Sequence, residues 1–317
     1  MKIIVAGGTG FIGRPLCEAL AGAGHDLVVL SRSPRSSASV RIRYAPWQPP
    51  AAGEWALEVR DADAIINLAG EPLVARRWTP TQKARIISSR LEATRALVEA
   101  VRSSPSRRPR VLLNASAVGY YGPQEDERAL DETTPNGQDF LAQTCRQWEQ
   151  AAGAAESLGV RVVRIRIGLV LAKDGGALKI MLPPFRMGLG GPLGSGRQWL
   201  SWIHRRDLIR LIGWALEEER CAGAVNGTAP NPVSMSEFAR TLGQTVKRPA
   251  VMPVPGWVLR AVLGEMSQVL LTGQRVIPKA ALTFGFQFDY PLLPDAFADC
   301  VKKCQTLFAR GKVSDTF

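Results

Sequence analysis

Along the first 170 residues, short aliphatic runs alternate with longer segments in which apolar residues recur every three or four positions. The runs Ile3–Ala6, Leu27–Ser31, Ala64–Leu68, Val111–Ala115 and Val160–Ile167 read as strands, with a weak further strand near Arg41–Tyr44. Between them, Phe11–Ala23, Thr81–Arg102 and Asp139–Leu158 carry the helical period. Strands that are apolar on both faces and alternate with helices predict a parallel sheet covered on both sides.

The texture changes after about residue 170. Gly and Pro crowd Lys173–Gly176 and Pro183–Arg197. A helix over Arg206–Glu219 and a short strand around Ala224–Gly227 follow, and Ser234 is placed to cap a helix over Ser234–Lys247. From about residue 251 the pattern is mostly helical, punctuated by Pro253, Pro255, Pro278, Pro291 and Pro294. The Gly-rich stretch Gly188–Gly196 is expected near the reactive end of any cleft, because such loops often fold over a ligand.

Immediately after the first strand stands Gly7-Gly8-Thr9-Gly10-Phe11-Ile12-Gly13. Glycines at 7, 10 and 13 allow a tight turn, a phosphate against the backbone and close helix–strand packing, with the following helix directing its N–H groups at a pyrophosphate. The strand before and helix after the motif are the context that makes it a dinucleotide site. The expected architecture is therefore α/β: a Rossmann-type doubly wound parallel sheet over residues 1–172. A smaller, mostly helical substrate-side lobe over 173–317 does not fold by itself.

The second strand ends in Ser31-Arg32, with Arg35 close behind. A site for NAD places a carboxylate there to bind the ribose 2′-OH. A hydroxyl and a guanidinium instead suit a 2′-phosphate, so NADP(H) is the expected cofactor. Small residues in Asn67-Leu68-Ala69-Gly70, where the fourth strand ends, suit passage of the cofactor. Arg85 and Arg90 on the next helix could face either the cofactor or solvent.

Composition narrows the picture without redirecting it. With 46% hydrophobic and 21% charged residues in 317, the chain is neither disordered nor fibrous. No run approaches 18 apolar residues and Met1-Lys2 leads straight into a strand, so neither a membrane span nor a secretory leader is expected and the cytoplasm is the expected location. Five Cys at 17, 145, 221, 300 and 304, without a C-x-x-C pair and with only two His, give no metal site. The net charge of +12 comes from scattered basic residues, 31 of the 40 being Arg, with short clusters at Arg76-Arg77, Arg107-Arg108-Pro109-Arg110 and Arg205-Arg206. Scatter of this kind argues against a nucleic-acid surface and fits an acidic small molecule.

Together GGTGFIG, the SR after strand two, NLAGE, SRLEATRAL and NASAVGYYG resemble the extended short-chain dehydrogenases/reductases. The nearer likeness is to their NAD-dependent epimerase/dehydratase branch of unassigned substrate. That branch carries a C-terminal conserved region of unknown function, whose marks here are residues 184–208 and 270–288. The resemblance covers nearly the whole chain and implies a Rossmann-type domain with NADP(H). It also implies cofactor contacts from Gly7, Gly8, Thr9, Gly10, Phe11, Ile12, Gly13, Ser31, Arg32, Leu68, Ala69, Gly70, Arg90 and the backbone at Val170.

The superfamily's Tyr-x-x-x-Lys dyad is missing. If Glu149 aligns with the acid that commonly follows that Lys by four, Leu141 and Cys145 stand in the Tyr and Lys places, and none of Tyr44, Tyr120, Tyr121 and Tyr290 has Lys four residues on. The catalytic candidates are then Ser116, which could hydrogen-bond a carbonyl substrate, and Tyr120. His204 and Asp207 could face one another at a helix start, or serve as a structural His beside a capping Asp, and Lys173 could meet an anionic substrate. Two functions fit: an NADP(H)-dependent oxidoreductase or epimerase for a small anionic or nucleotide-linked molecule, or an NADPH-binding regulatory protein without the chemistry. The helices flanking the sheet could also form a homodimer seam.

Overall fold

In the computed structural model, which describes residues 1–301 apart from 34, 38, 52, 75, 105, 106 and 125, seven strands form one parallel sheet. In chain order the strands are β1 (Lys2–Ala6), β2 (Asp26–Ser31), β3 (Ile42–Pro46), β4 (Ala64–Asn67), β5 (Val111–Ala117), β6 (Arg161–Ile167), β7 (Leu169–Leu171), β8 (Trp199–Leu200), β9 (Trp202–His204), β10 (Gly223–Gly227) and β11 (Val233–Ser234). The sheet order is β10-β6-β5-β4-β1-β2-β3, with β7–β9 and β8–β11 as separate short pairs. The chain starts in the middle and winds outward in both directions, so a crevice opens at the carboxyl ends of β1 and β4, where the direction of winding reverses.

Helices α1 (Gly13–Gly22), α2 (Trp55–Val59), α3 (Pro80–Arg102), α4 (Phe140–Gly153), α5 (Gly176–Arg186) and α6 (Arg205–Glu217) follow the strands. α7 (Met235–Val246), α8 (Gly256–Leu263), α9 (Gln268–Leu271), α10 (Lys279–Thr283) and α11 (Leu293–Val301) complete the chain. Alternation along each strand sorts the core. Ile3, Val5, Leu27 and Val29 pack with Leu16 of α1 and Leu208 and Ile212 of α6. Ile4, Ala6, Val28 and Leu30 pack with Trp55, Leu97, Val98 and Ala152 on the opposite face. Caps fix the helix starts. Thr79 Oγ1 accepts from Gln82 N–H ahead of Pro80, Asp139 accepts from Ala142 N–H, and Ser234 accepts from Glu237 N–H.

Several boundaries differ from the sequence expectation for local reasons. Helix α1 begins at Gly13 rather than Phe11, because residues 11 and 12 form a turn. Helix α4 ends at Gly153 and is followed by a short 3-10 turn at Glu156–Leu158. The division at 172/173 runs through the sheet rather than beside it: β10 and α6, both beyond 172, form the sheet's edge and one of its covering helices. What the Gly/Pro texture marks is a lobe built around Leu178, Phe185, Phe238 and Phe297 from α5, α7 and α11. Within it the Gly188–Gly196 stretch is shaped by packing. A Cβ at Gly191 would stand 2.1 Å from the Met252 carbonyl oxygen, and Met252 and Val254 N–H donate to Gly190 and Pro192. Cys17, Cys145, Cys221 and Cys300 are buried free thiols, whereas Cys304 lies outside the described residues.

Candidate functional site

The β1–α1 loop leaves no room for side chains at two of its glycines. Gly7 has φ +78°, and a Cβ there would lie 2.6 Å from the Leu68 carbonyl carbon, so the loops after β1 and β4 touch backbone to backbone. At Gly13 a Cβ would meet the Gly7 oxygen at 2.2 Å, which lets the helix start close to the strand. Gly8 is buried behind the loop, while Thr9 and Gly10 are exposed at its tip. Gly10 N–H bonds back to Gly7 O, and Arg14 N–H to Gly10 O. Among the described residues the N–H groups of Phe11, Ile12 and Gly13 find no acceptor. These donors at a helix N-terminus, in a cradle that side chains would fill, fit a dinucleotide pyrophosphate.

Two features that sequence reading missed border the loop. The Phe11 ring lies against Gly175 and Gly176, where a Cβ would come as near as 2.5 Å, and the Val170 carbonyl borders the same turn. Arg205, known from the sequence only as part of a basic pair, stacks over the Phe11 ring at 5.0 Å, contacts the Phe11 carbonyl at 3.4 Å and pairs with Asp174 at 2.7 Å. A loop–lobe clamp of this kind has no local sequence signature.

At the end of β2, Ser31 is buried and turned inward. Its hydroxyl donates to Ser33 O at 2.8 Å and accepts from Ser33 N–H, which shapes the turn that presents Arg32. Arg32 is exposed and has no acidic partner among the described residues; Arg41 and Arg43 nearby are taken by Asp26 and Glu58. After β4, buried Asn67 accepts from Ala69 N–H and donates to Thr94 and Asn114, which holds the Leu68–Gly70 turn in place. Arg85 points to solvent. Arg90 turns inward, packs against Gly70, donates to the Glu71 and Ile86 carbonyls at 3.0 and 2.9 Å, and stacks over Trp148.

The two positions expected in place of the dyad sit together on α4, occupied by an apolar side chain and a thiol. Leu141 joins an apolar cluster with Trp78, Ile86 and Met266, tying α3 and α4 to the C-terminal segment. That contact is reinforced by Lys83–Glu265 and by Arg77 donating to Ala261 O at 2.6 Å. Cys145 is buried one turn on, and burial pushes its thiol up to about 11, far from a reactive thiolate at neutral pH.

Ser116 is 3% exposed at the end of β5, and its hydroxyl donates to Glu149 Oε1 at 2.7 Å. Glu149, on the same helical face as Leu141 and Cys145, receives both Nε and Nη2 of Arg166 at 2.9 and 3.0 Å. The Arg166 guanidinium lies 3.4 Å from the Tyr120 ring centroid and donates to the Tyr121 hydroxyl, which itself donates to Asn226. Burial pushes the Tyr121 phenol up to about 12, against the pull of Arg166. Ser116 and Tyr120 are thus joined through a buried ion pair that the sequence signalled only as an alignment mark at Glu149. The bond to Glu149 bears on the expectation that Ser116 hydrogen-bonds a carbonyl substrate. Its proton is committed to a carboxylate, so it offers lone pairs and suits a hydroxyl that donates to it.

His204 and Asp207 do not face each other. His204 Nδ1 caps α6 by accepting from Arg206 N–H, its Nε2 lies 3.4 Å from Asp299, and its ring packs on Tyr290 at 3.9 Å. Asp207 accepts from the N–H groups of Asp289 and Tyr290. Both residues therefore fasten the 289–299 segment. Lys173 is exposed. Burial holds the His204 pKa below 6.5, outweighing Asp299 and Asp207. The unfolded chain then takes up a proton that the folded chain resists, so stability present above about pH 6.5 falls as the pH drops further. Urea unfolding at about pH 7.5 and 5.5 is expected to show this loss in the wild type and a smaller loss in His204→Gln; equal losses in both would refute it.

The family model described as "NAD dependent epimerase/dehydratase family" matches residues 3–226, and one described as "Domain of unknown function (DUF1731)" matches 254–300. The chloroplastic epimerase family protein SDR39U1 homolog of Arabidopsis thaliana is 46% identical over 301 residues, 93% of this chain and 85% of its own. The crystal structure of human epimerase family protein SDR39U1 (isoform 2) with NADPH superposes with a TM-score of 0.83 at 36% identity, over 95% of this chain and 99% of that one. A nucleoside-diphosphate sugar epimerase from Corynebacterium glutamicum gives a TM-score of 0.75 at 30% identity, over 94% of this chain and 57% of that one.

Proposed function

Since the chain belongs to the NAD-dependent epimerase/dehydratase family, we propose that it is an NADP(H)-dependent oxidoreductase or epimerase acting on a small, nucleotide-linked or otherwise anionic molecule in the cytoplasm. The observation that carries the cofactor is the pairing of two features along one crevice edge: acceptor-free N–H groups at Phe11–Gly13 and a carboxylate-free guanidinium at Arg32. The human relative with NADPH supports the same reading, and the Corynebacterium relative supports a nucleoside-diphosphate substrate.

In this reading the Gly7–Gly13 loop and the α1 N-terminus hold the pyrophosphate, Ser31 shapes the turn that presents Arg32 to the 2′-phosphate, and Leu68–Gly70 pass the ribose. Arg90 lies against Gly70 with guanidinium donors left to meet the ribose hydroxyls. The nicotinamide, when bound, supplies or accepts hydride. Ser116 receives a hydrogen bond from the substrate hydroxyl, oriented by Glu149, and Tyr120, its ring fixed by Arg166, adds a phenol at the same end. Leu141 and Cys145 contribute packing. The test is NADP(H) absorbance across paired keto and hydroxy nucleotide sugars. Ser116→Ala and Tyr120→Phe are expected to lower turnover by about 10²–10⁴-fold, and Cys145→Ala to leave it nearly intact. Loss of turnover in Cys145→Ala alone would transfer the chemistry to the thiol.

A second reading has its own observation: the Tyr place of the dyad is filled by Leu141 inside an apolar cluster. A chain that binds NADPH tightly and turns over nothing on that panel would be a cofactor-responsive binding protein.

A further inference from the structure

The C-terminal lobe carries a face that neither the cofactor crevice nor the lobe's own packing uses. Helix α5 ends at Arg186, and beyond Met187 the backbone at Gly190 and Pro192 pairs with that at Met252 and Val254. Gly188 sits on Pro249, and Met252 N–H donates to Gly190 O at 3.1 Å. These aliphatic side chains are 66% (Met187), 53% (Leu189), 76% (Val251) and 50% (Met252) exposed. Ile180, seven residues before Met187 on the same side of α5, is exposed as well.

Directly beside them is a pocket of about 410 Å³ lined by Arg240, Gln244, Lys247 and Arg248, with Val251 at its edge. Among the described residues Arg186, Arg240, Lys247 and Arg248 make no ion pair, whereas Arg205 and Arg210 of α6 are matched by Asp174 and Asp289. Lys247 closes α7 in the left-handed region at φ 57°, the one non-glycine residue with positive φ among those described. Glycine is favoured at such a C-terminal position, yet here it carries a cation at the pocket wall.

Exposed aliphatic groups gain by leaving water, and unpaired cations gain by meeting phosphates. A soluble phosphorylated molecule would satisfy only the cations. A second copy of a chain with net charge +12 would bring like charge against like. A bilayer surface offers both partners in one plane, acyl boundary below and phosphodiester above. We propose that this face docks on the headgroup layer of an anionic phospholipid membrane, with the 410 Å³ pocket receiving a lipid phosphate. Docking of this kind needs no spanning helix, and among the described residues there is none. The proposal is independent of the reaction assigned to the crevice.

The test uses the full chain and sedimented vesicles of phosphatidylcholine alone or with part of it replaced by phosphatidylglycerol. Binding is expected only with the anionic vesicles, declining steeply with added salt. Arg240→Glu with Lys247→Glu should weaken it by about tenfold or more. Met187→Ser with Val251→Ser should weaken it too, while both double variants keep wild-type NADPH affinity and melting. Equal binding to both vesicle types, no binding, or binding indifferent to the charge reversals would overturn the proposal. So would calorimetric binding of inorganic pyrophosphate at this pocket without vesicle binding, which makes the ligand a soluble anion. Dimerisation by light scattering, lost in Met187→Ser with Val251→Ser, would instead assign the face to a second copy and overturn it as well.

Discussion

Glu149→Leu is expected to destabilise the fold by about 3–5 kcal/mol, the usual effect of removing one partner from a buried ion pair. The Arg166 guanidinium would lose both of its bonds to the carboxylate at 2.9 and 3.0 Å, in surroundings where its side chain is 5% exposed. Its remaining partners, the Tyr121 hydroxyl, the Glu132 carbonyl and the Tyr120 ring, carry no compensating charge. Ser116 would lose its acceptor in the same step. Urea unfolding should show a lower midpoint with an unchanged slope. Two companions separate charge from volume. Ser116→Ala removes only a hydroxyl and should cost about 1 kcal/mol, although it leaves one lobe of the Glu149 carboxylate unpaired. Arg166→Met placed in the Glu149→Leu background should recover much of the loss, since an apolar pair of similar volume often replaces a buried ion pair without penalty. A Glu149→Leu protein within 1 kcal/mol of wild type would mean that water reaches the pair and that the network holds nothing in place.

The parts of this molecule legible in the sequence are those whose cause is local. The apolar runs of β1, β2, β4, β5 and β6 are buried on both faces, so period and composition announce them, and the caps at Thr79, Asp139 and Ser234 fix helix starts within a few residues. The Gly7–Gly13 loop is legible because backbone contact at 2.2–2.9 Å excludes a Cβ, leaving a trace in residue type. What was not legible depends on partners far along the chain. Glu149 meets Arg166 and Ser116 from different elements, and Asp207 meets Asp289 and Tyr290 some eighty residues on. Arg205 reaches Phe11 across 194 residues. None of these residue types is unusual on a surface, so only the fold distinguishes them from solvated charges. The Gly-rich 188–196 stretch illustrates the opposite hazard: Gly190, Gly191, Gly194 and Gly196 answer to close packing on Phe185, Met252, Leu271 and Ser236, a demand indistinguishable in sequence from one made by a ligand.

Wild-type protein is expected to bind NADPH more tightly than NADH, and Arg32→Ala to erase most of the difference by weakening NADPH alone by about 1–3 kcal/mol, roughly fivefold to 150-fold. The reasoning is electrostatic and positional. Asp26, at the opposite end of β2, is already paired with Arg41, so no carboxylate among the described residues competes for Arg32 at the strand's C-terminal end. Ser31 has spent its proton on Ser33 O and holds the turn rather than the ligand, which leaves the guanidinium as the group that recognises a 2′-phosphate. Arg32→Lys should keep the charge and lose the two-pronged geometry, and so fall between wild type and Arg32→Ala. Arg32→Glu should go further, repelling the phosphate while accepting from a free ribose 2′-OH, so that NADH becomes the better ligand. Ser31→Ala should matter less, acting only through the shape of the turn. Calorimetric titration of both cofactors into all five proteins at one salt concentration decides it, because a solvent-exposed cation acts through a screened field. Equal affinities of the wild type for NADPH and NADH would refute the assignment of Arg32, and an equal loss for both cofactors in Arg32→Ala would show that the side chain supports the loop instead of reading the phosphate.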